Sequence, residues 1–271
     1  MKFSHIIQLI LFVLIGNFAH AQFNETIVTG RPGQSNGPFG VGKGIYQVQS
    51  GIDFNDVSSD FGMRESEAKS WNHNSIFRIG LFEKTEFRVG YGYALKETFS
   101  SNITSEFAEE QSGFSTFQLG LRQHLLKQYG IIPAIGFQVT AKFGGLDRYK
   151  RDKFNYEGKL IMQHRFSDNL ILNSNFSIEH NDEIDYTFGR YVFSFGYSLT
   201  DRLVMVVEAY GTVDDVDTQV FFDGGLGYRL SDNLQLDLYG GYGQNTLSEF
   251  DVEVKAYFIS AGVSFRINTR D

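Results

Sequence analysis

"FNYEGKLIMQHRFSDNLILNSNFSIEH", residues 154 to 180, holds two runs that alternate apolar and polar residues, joined by the polar triplet Ser167-Asp168-Asn169. In the first run Phe154, Tyr156, Leu160, Met162 and Phe166 share one parity, while Asn155, Glu157, Lys159, Gln163 and Arg165 share the other. Successive side chains of a strand point to opposite faces, so this is a strand with one apolar and one charged face. The Asp and Asn of the triplet bond locally to the backbone, which makes a tight hairpin turn. The unit recurs in "YSLTDRLVM" at 197 to 205 and "YRLSDNLQL" at 228 to 236, and Glu83-Lys84-Thr85 and Leu125 to Gly130 fill the same slot. Five short turns therefore join strands pairwise.

Longer polar connections lie between them, at 55–75, 96–113, 144–153, 180–186, 211–218 and 244–255. Short connections at one end and long ones at the other are the pattern of an up-and-down transmembrane barrel. Six loops and five turns give twelve strands, expected at 45–54, 76–82, 86–95, 114–124, 131–143, 154–166, 170–179, 187–199, 203–210, 219–230, 234–243 and 256–267. The even number leaves both chain ends on the periplasmic side.

Parity tests this expectation, because a charge aimed at the bilayer centre costs about 2 to 4 kcal/mol. In the tenth strand Val220, Phe222, Leu226, Tyr228 and Leu230 oppose Asp223 and Arg229. Across the twelve strands nine basic residues (Arg78, Arg88, Arg122, Lys142, Lys159, Arg165, Arg190, Arg229, Arg266) and seven acidic ones (Asp53, Glu86, Glu157, Glu179, Glu208, Asp223, Asp237) all take the lumen parity. They are the candidate lumen-lining residues, either as the walls of a wet pore or as structural ion pairs across a narrow interior. A soluble β-sandwich also alternates, with its charged face toward water and its apolar face toward a second sheet. Aromatics at strand ends, such as Tyr46, Phe87, Phe143 and Tyr257, instead suit the girdles of a membrane barrel.

Composition agrees with the barrel: 27 Phe, 14 Tyr and 29 Gly against 3 Pro and 1 Trp suit many strands with aromatic rims. Lys2, an apolar run from Ile6 to Phe18 and Ala19-His20-Ala21 read as a secretory leader over 1–21. With no cysteine there is neither a lipid-attachment site nor a disulfide framework. The net charge of −8 excludes nucleic acid as a partner, since no basic surplus is available to neutralise phosphates.

Catalytic residues are not expected. His164 faces lipid at the turn end, His124 points inward, and His180 lies three residues from Ser177, on opposite strand faces. The acidic stretches "HNDEID" at 180 to 185 and "DDVD" at 214 to 217 lack the spacing of a calcium loop and read as a solvated rim. The glycines of "GYGYALKE" and "LDLYGGYG" sit within strands and read as close packing or barrel bending, not as phosphate loops. No metal or cofactor is expected.

"IVTGRPGQSNGPFGVGKGIYQVQSGIDF", residues 27 to 54, resembles the opening of the outer-membrane transporter family labelled as a meta-pathway of phenol degradation, in its Bacteroidota-type form. That family's opening runs T-D-R-P, Ser-Pro, V-P-K-G, then a first strand Q-x-E-x-G. Thr29, Arg31 and Pro32 fit the first element, with Gly30 in place of Asp, and Pro38 fits the second, with Gly37 in place of Ser. Val41, Lys43 and Gly44 fit the third, with Gly42 for Pro, and Gln47, Gln49 and Gly51 fit the strand, with Gln for Glu. The resemblance implies an outer-membrane barrel that passes small, apolar or aromatic solutes, with membrane lipid and lipopolysaccharide as its surroundings. The rival is a barrel that conducts nothing and is structural or surface-binding; a barrel hydrolase ranks below both. Pro32 and Pro38 cannot donate to a ladder, which keeps 22–44 out of the wall that 45–271 builds. This stretch is expected to fold into the lower lumen as a plug, with Arg31 and Lys43 near inward carboxylates.

Overall fold

The computed structural model describes residues 26–60, 64–102, 106–247 and 252–269. The leader read at 1–21 lies outside the described residues. Twelve antiparallel strands follow: β1 (Ile45–Asp60), β2 (Arg64–Phe82), β3 (Thr85–Asn102), β4 (Glu106–Leu126), β5 (Ala134–Gly144), β6 (Asn155–Arg165), β7 (Leu170–Asn181), β8 (Tyr186–Ser198), β9 (Leu203–Val213), β10 (Phe221–Ser231), β11 (Leu234–Leu247) and β12 (Val252–Asn268). Each pairs with its chain neighbours, and β12 pairs back with β1 to close the ring. The closing seam is continuous from Ile45↔Asn268 to Asp60↔Glu253. A closed ring leaves no sheet edge, which lets strands stand in lipid with every ladder group paired.

The packing is inside out. Among the described residues, prolines aside, seven apolar side chains are buried against twenty-eight polar or charged ones, while Tyr46, Ile52, Phe77, Phe176, Leu238 and many other large apolar residues are exposed. A sandwich would bury its apolar faces between two sheets, so burial and closure together exclude it. Alternation sets this up locally: in β1 Ile45, Gln47, Gln49 and Gly51 are buried, while Tyr46 and Ile52 are exposed.

The segments expected as loops at 55–75, 96–113 and 244–255 are mostly strand. β4 reaches 21 residues and β2 reaches 19, against 11 in β5 and in β6. A bilayer crossing needs only about 9 to 11 residues. Beyond the bilayer both faces are wet, so the apolar alternation lapses while the hydrogen-bonded ladder continues. The result is a tall wall on the β1–β4 side. β5 starts at Ala134, three residues later than expected, because Pro133 has no N–H for the ladder.

Three β-bulges, at Gly80/Phe82, His124/Leu126 and Arg229/Ser231, lie at the end that carries the short turns. Both described chain ends return there: Ile27 N donates to Asp232 O (2.7 Å) in the β10–β11 turn, and Thr269 N donates to Gly44 O (3.0 Å).

Candidate functional site

Residues 26–44 form no strand and lie inside the barrel. Their amides and carbonyls, which no ladder satisfies, are met by inward side chains around the ring. Arg78 Nη1 (2.9 Å) and Gln47 Nε2 (3.0 Å) donate to Val28 O, and Gln235 Nε2 donates to Arg31 O (2.8 Å). Gln34 N and Ser35 N both donate to the Glu208 carboxylate. The Asn175 side chain pairs with the Asn36 backbone as a strand would, accepting from its N–H (2.7 Å) and donating to its C=O (3.0 Å). Arg122 Nη1 donates to Gly37 O (3.1 Å), and Val41 N donates to Glu86 Oε2 (3.0 Å).

Small residues in the wall allow this close approach. Gly51 of β1 and Gly262 of β12 are register partners, and a Cβ on either would collide with the Arg31 guanidinium. Gly33, at φ +99°, combines a left-handed backbone with close contact to the Glu208 carboxylate, so both φ and space require glycine there. Pro32 packs on Gly227, Pro38 on Gly136, and the Phe39 ring lies 4.8 Å from that of His124.

The charged residues divide into two sides. On β2–β4 the fully buried Glu86 carboxylate is ringed by Arg78 (2.7 Å), Arg88 (3.0 Å) and Arg122 (3.7 Å). On β5–β8 Lys142 bridges Glu157 (3.2 Å) and Glu179 (2.7 Å), Lys159 meets Glu157 (3.1 Å), and Arg190 meets Glu179 (3.3 Å). From β9 round to β1 the inward charges above the rim are acidic. Glu208 and Asp223 are direct register partners, and both Asp223 oxygens are buried with no hydrogen-bond partner. Asp237 takes Arg31 Nε at 2.9 Å, while Asp53 accepts from Asn74 Nδ2 (2.9 Å) and Ser260 Oγ. Segment 26–44 thus supplies the acidic side with Arg31 and with the amides of Gln34 and Ser35.

Among the candidates, Arg165, Arg229 and Arg266 sit at the short-turn rim rather than deep in the lumen. Arg165 Nη1 donates to Asp168 O (3.2 Å), Arg229 Nη2 to Asp201 O, and Arg266 Nε to Asn233 Oδ1 (2.9 Å). Lys43 is exposed where the segment leaves the lumen, whereas Arg31 is held inside. Segment 26–44 separates two cavities. One of about 440 Å³ lies toward the loop end, bounded by Arg31, Asp53, Arg88, Lys142, Lys159 and Tyr210 among others. The other, about 300 Å³, lies toward the turn end beside Arg165, Arg229 and Gln235.

Three inward aromatics of the larger cavity, Tyr210, Tyr239 and Phe258, were not among the expected lining residues. Parity marks them: they share it with Glu208, Asp237 and Ser260 on their strands. His73, expected in a loop, is in β2 on the lipid-facing parity, where its Nε2 lies 2.9 Å from Ser50 Oγ. Ser75 Oγ donates to Ser50 Oγ (2.9 Å), so the three polar groups satisfy one another.

The acidic stretch at 214 to 217 uses Asp214 internally. Its carboxylate accepts from Val216 N (2.9 Å), Asp217 N (2.8 Å) and Tyr186 Oη. The Tyr186 hydroxyl, then those two amides, hold the Asp214 carboxyl below its usual range.

Many solved structures share the fold, three of them as follows. An outer-membrane channel from Pseudomonas putida F1 superposes with a TM-score of 0.65 at 9% identity, over 89% of this chain and 100% of that one. The monoaromatic hydrocarbon channel CymD gives 0.52 at 8% identity, over 85% and 90% of the two chains. The transport unit of an Escherichia coli autotransporter, AIDA-I, gives 0.57 at 10% identity, over 94% and 96%. The same barrel thus serves different roles. No curated protein matches the sequence. The model of one family, described as "Putative MetA-pathway of phenol degradation", matches residues 29–267, and the chain, a closed twelve-stranded β-barrel, belongs to that family.

Proposed function

We propose that this barrel is a passive outer-membrane channel for small solutes, apolar or aromatic, that residues 22–44 plug from the periplasmic side. The observation that carries the reading is the lumen itself: polar and charged walls around cavities on both sides of segment 26–44. A wet lumen with weak sites is sufficient for diffusion, and no chemical step is assigned to the protein. The short turns and both chain ends belong on the periplasmic side, and the extended strands belong among the lipopolysaccharide of the outer leaflet. The structural similarity to CymD, a monoaromatic hydrocarbon channel, supports the solute class.

The rival reading is a barrel that conducts nothing, and the hydrogen bonding of segment 26–44 to inward side chains of eight of the twelve strands is what favours it. Single-channel recording in planar bilayers separates the two. The intact protein is expected to show small conductance steps, and deletion of residues 23 to 40 is expected to enlarge them severalfold. Absence of steps in both proteins would sink the channel reading. Equal conductance in the two would leave the channel and remove the plug.

A further inference from the structure

We infer that the cavity on the loop side of segment 26–44 is a binding site for a small aromatic carboxylate. The inference rests on the reading of the lumen as a solute path and names the chemistry that path selects.

Charge is the first argument. Beyond the Arg31–Asp237 pair, the groups bounding the cavity include three cations, Arg88, Lys142 and Lys159, against two carboxylates, Asp53 and Glu157. Behind them Arg78 and Arg122 join Arg88 around the single Glu86, and Arg190 joins Lys142 on Glu179, so this side keeps a basic surplus. The acidic side contributes little to this space. Glu208 is covered by the amides of Gln34 and Ser35, Asp237 by Arg31, and the oxygens of Asp223 are shut away from solvent. The cavity therefore presents an anion with a positive wall, reached by the partly exposed ends of Lys142 and Lys159.

The opposite wall supplies the second argument. Tyr210, Tyr239 and Phe258 face the cavity, and Tyr239 and Phe258 pack edge to face with centroids 5.4 Å apart. Arg31 lies 5.2 Å over the Tyr239 ring and Tyr210 stacks on Phe221, so this wall is held in place before any ligand arrives. A flat ring laid on this wall points a carboxylate across the lumen at Arg88 and Lys159. The remaining lining, including Gln49, Gln118, Gln138 and Thr140, would lose water without replacement against a bare hydrocarbon. A volume of about 440 Å³ is in the range of small-ligand pockets.

The test is calorimetric titration of the folded full-length protein with benzoate, benzyl alcohol, benzylammonium and acetate, beside bilayer recording of the same preparation. Benzoate should bind at least roughly tenfold more tightly than the uncharged ring or the ringless acid, a difference of about 1.4 kcal/mol, and benzylammonium should not bind. Lys159→Gln should remove most of that preference. Gln118→Glu, which adds a carboxylate directly across from Lys142, should abolish benzoate binding while unheated gel mobility still reports a folded barrel. Equal binding of benzoate and benzyl alcohol, tighter binding of benzylammonium, or an unaffected Gln118→Glu protein would overturn the site. Selective benzoate binding without conductance would leave the site standing and remove the channel; conductance without selectivity would do the reverse.

Discussion

The two sides of the lumen solve the same problem differently. On β2–β8 each inward carboxylate has basic partners from the wall itself: Glu86 takes three arginines, and Glu157 and Glu179 share Lys142, Lys159 and Arg190. On β9–β11 and β1 the carboxylates have no such neighbours above the rim; segment 26–44 supplies two amides to Glu208 and Arg31 to one oxygen of Asp237, while the other Asp237 oxygen and both oxygens of Asp223 are buried unpaired. One side is therefore neutralised within the sheet, and the other draws the partners of Glu208 and Asp237 from the segment. A buried charge stripped of its partner is heavily penalised, so the acidic side is what holds the segment inside.

The comparison can be broken at its strongest point first. Glu86→Gln leaves three buried arginines facing one another and is expected to destabilise the barrel by about 3 to 5 kcal/mol. Urea unfolding followed by gel mobility should show this loss equally in the intact chain and after deletion of residues 23 to 40. A loss confined to the intact chain would mean that Glu86 acts through Val41 and not through the arginines.

Arg31→Gln tests the other side. It leaves Asp237 without its cation, and a loss of about 2 to 3 kcal/mol, with larger conductance steps, is expected. In the deletion background the same substitution site is gone, so Asp237→Asn should there be neutral or stabilising, the coupling that a double-mutant cycle reads. A smaller effect is expected for Gly262→Ala, whose Cβ would displace the Arg31 guanidinium, at about 1 to 3 kcal/mol. Its conductance should rise in the same direction as for Arg31→Gln; an unchanged conductance would separate the arginine's fit from the segment's docking.

The smallest effect is outside the membrane. Because the Asp214 carboxyl is held below its ordinary 3.8, its contribution to loop order is present above that value and is lost as pH falls through the lowered one. Limited proteolysis at 211–220 should be constant from pH 7 to about 5 and rise only in stronger acid. Asp214→Asn should be cut more readily at neutral pH, with both lumen sides untouched.

The barrel was legible because the bilayer imposes a rule on every residue of a crossing. Sixteen charges on one parity, in Glu157, Lys159, Asp223 and their fellows, state which face is wet before any coordinate is known. The rule lapses above the membrane, so the upper halves of β2, β3 and β4, with Ser, Glu and Lys on both faces, read as loops, and His73 was placed with them. Turn chemistry placed the short-turn ends within a few residues, apart from the offset that Pro133 imposes on β5.

Pairing across the lumen was not legible. That Glu86 gathers Arg78, Arg88 and Arg122 depends on the register of three strands, and that Arg31 meets Asp237 depends on a contact 206 residues away in the chain. Composition and alternation determine the class of fold, its strand number and the wet face, since these are local consequences of lipid on one side and water on the other. Ring closure and the path of residues 26–44 decide the rest: which carboxylates the wall itself neutralises, which wait for the segment, and why the remaining cavity is positive on one side and aromatic on the other.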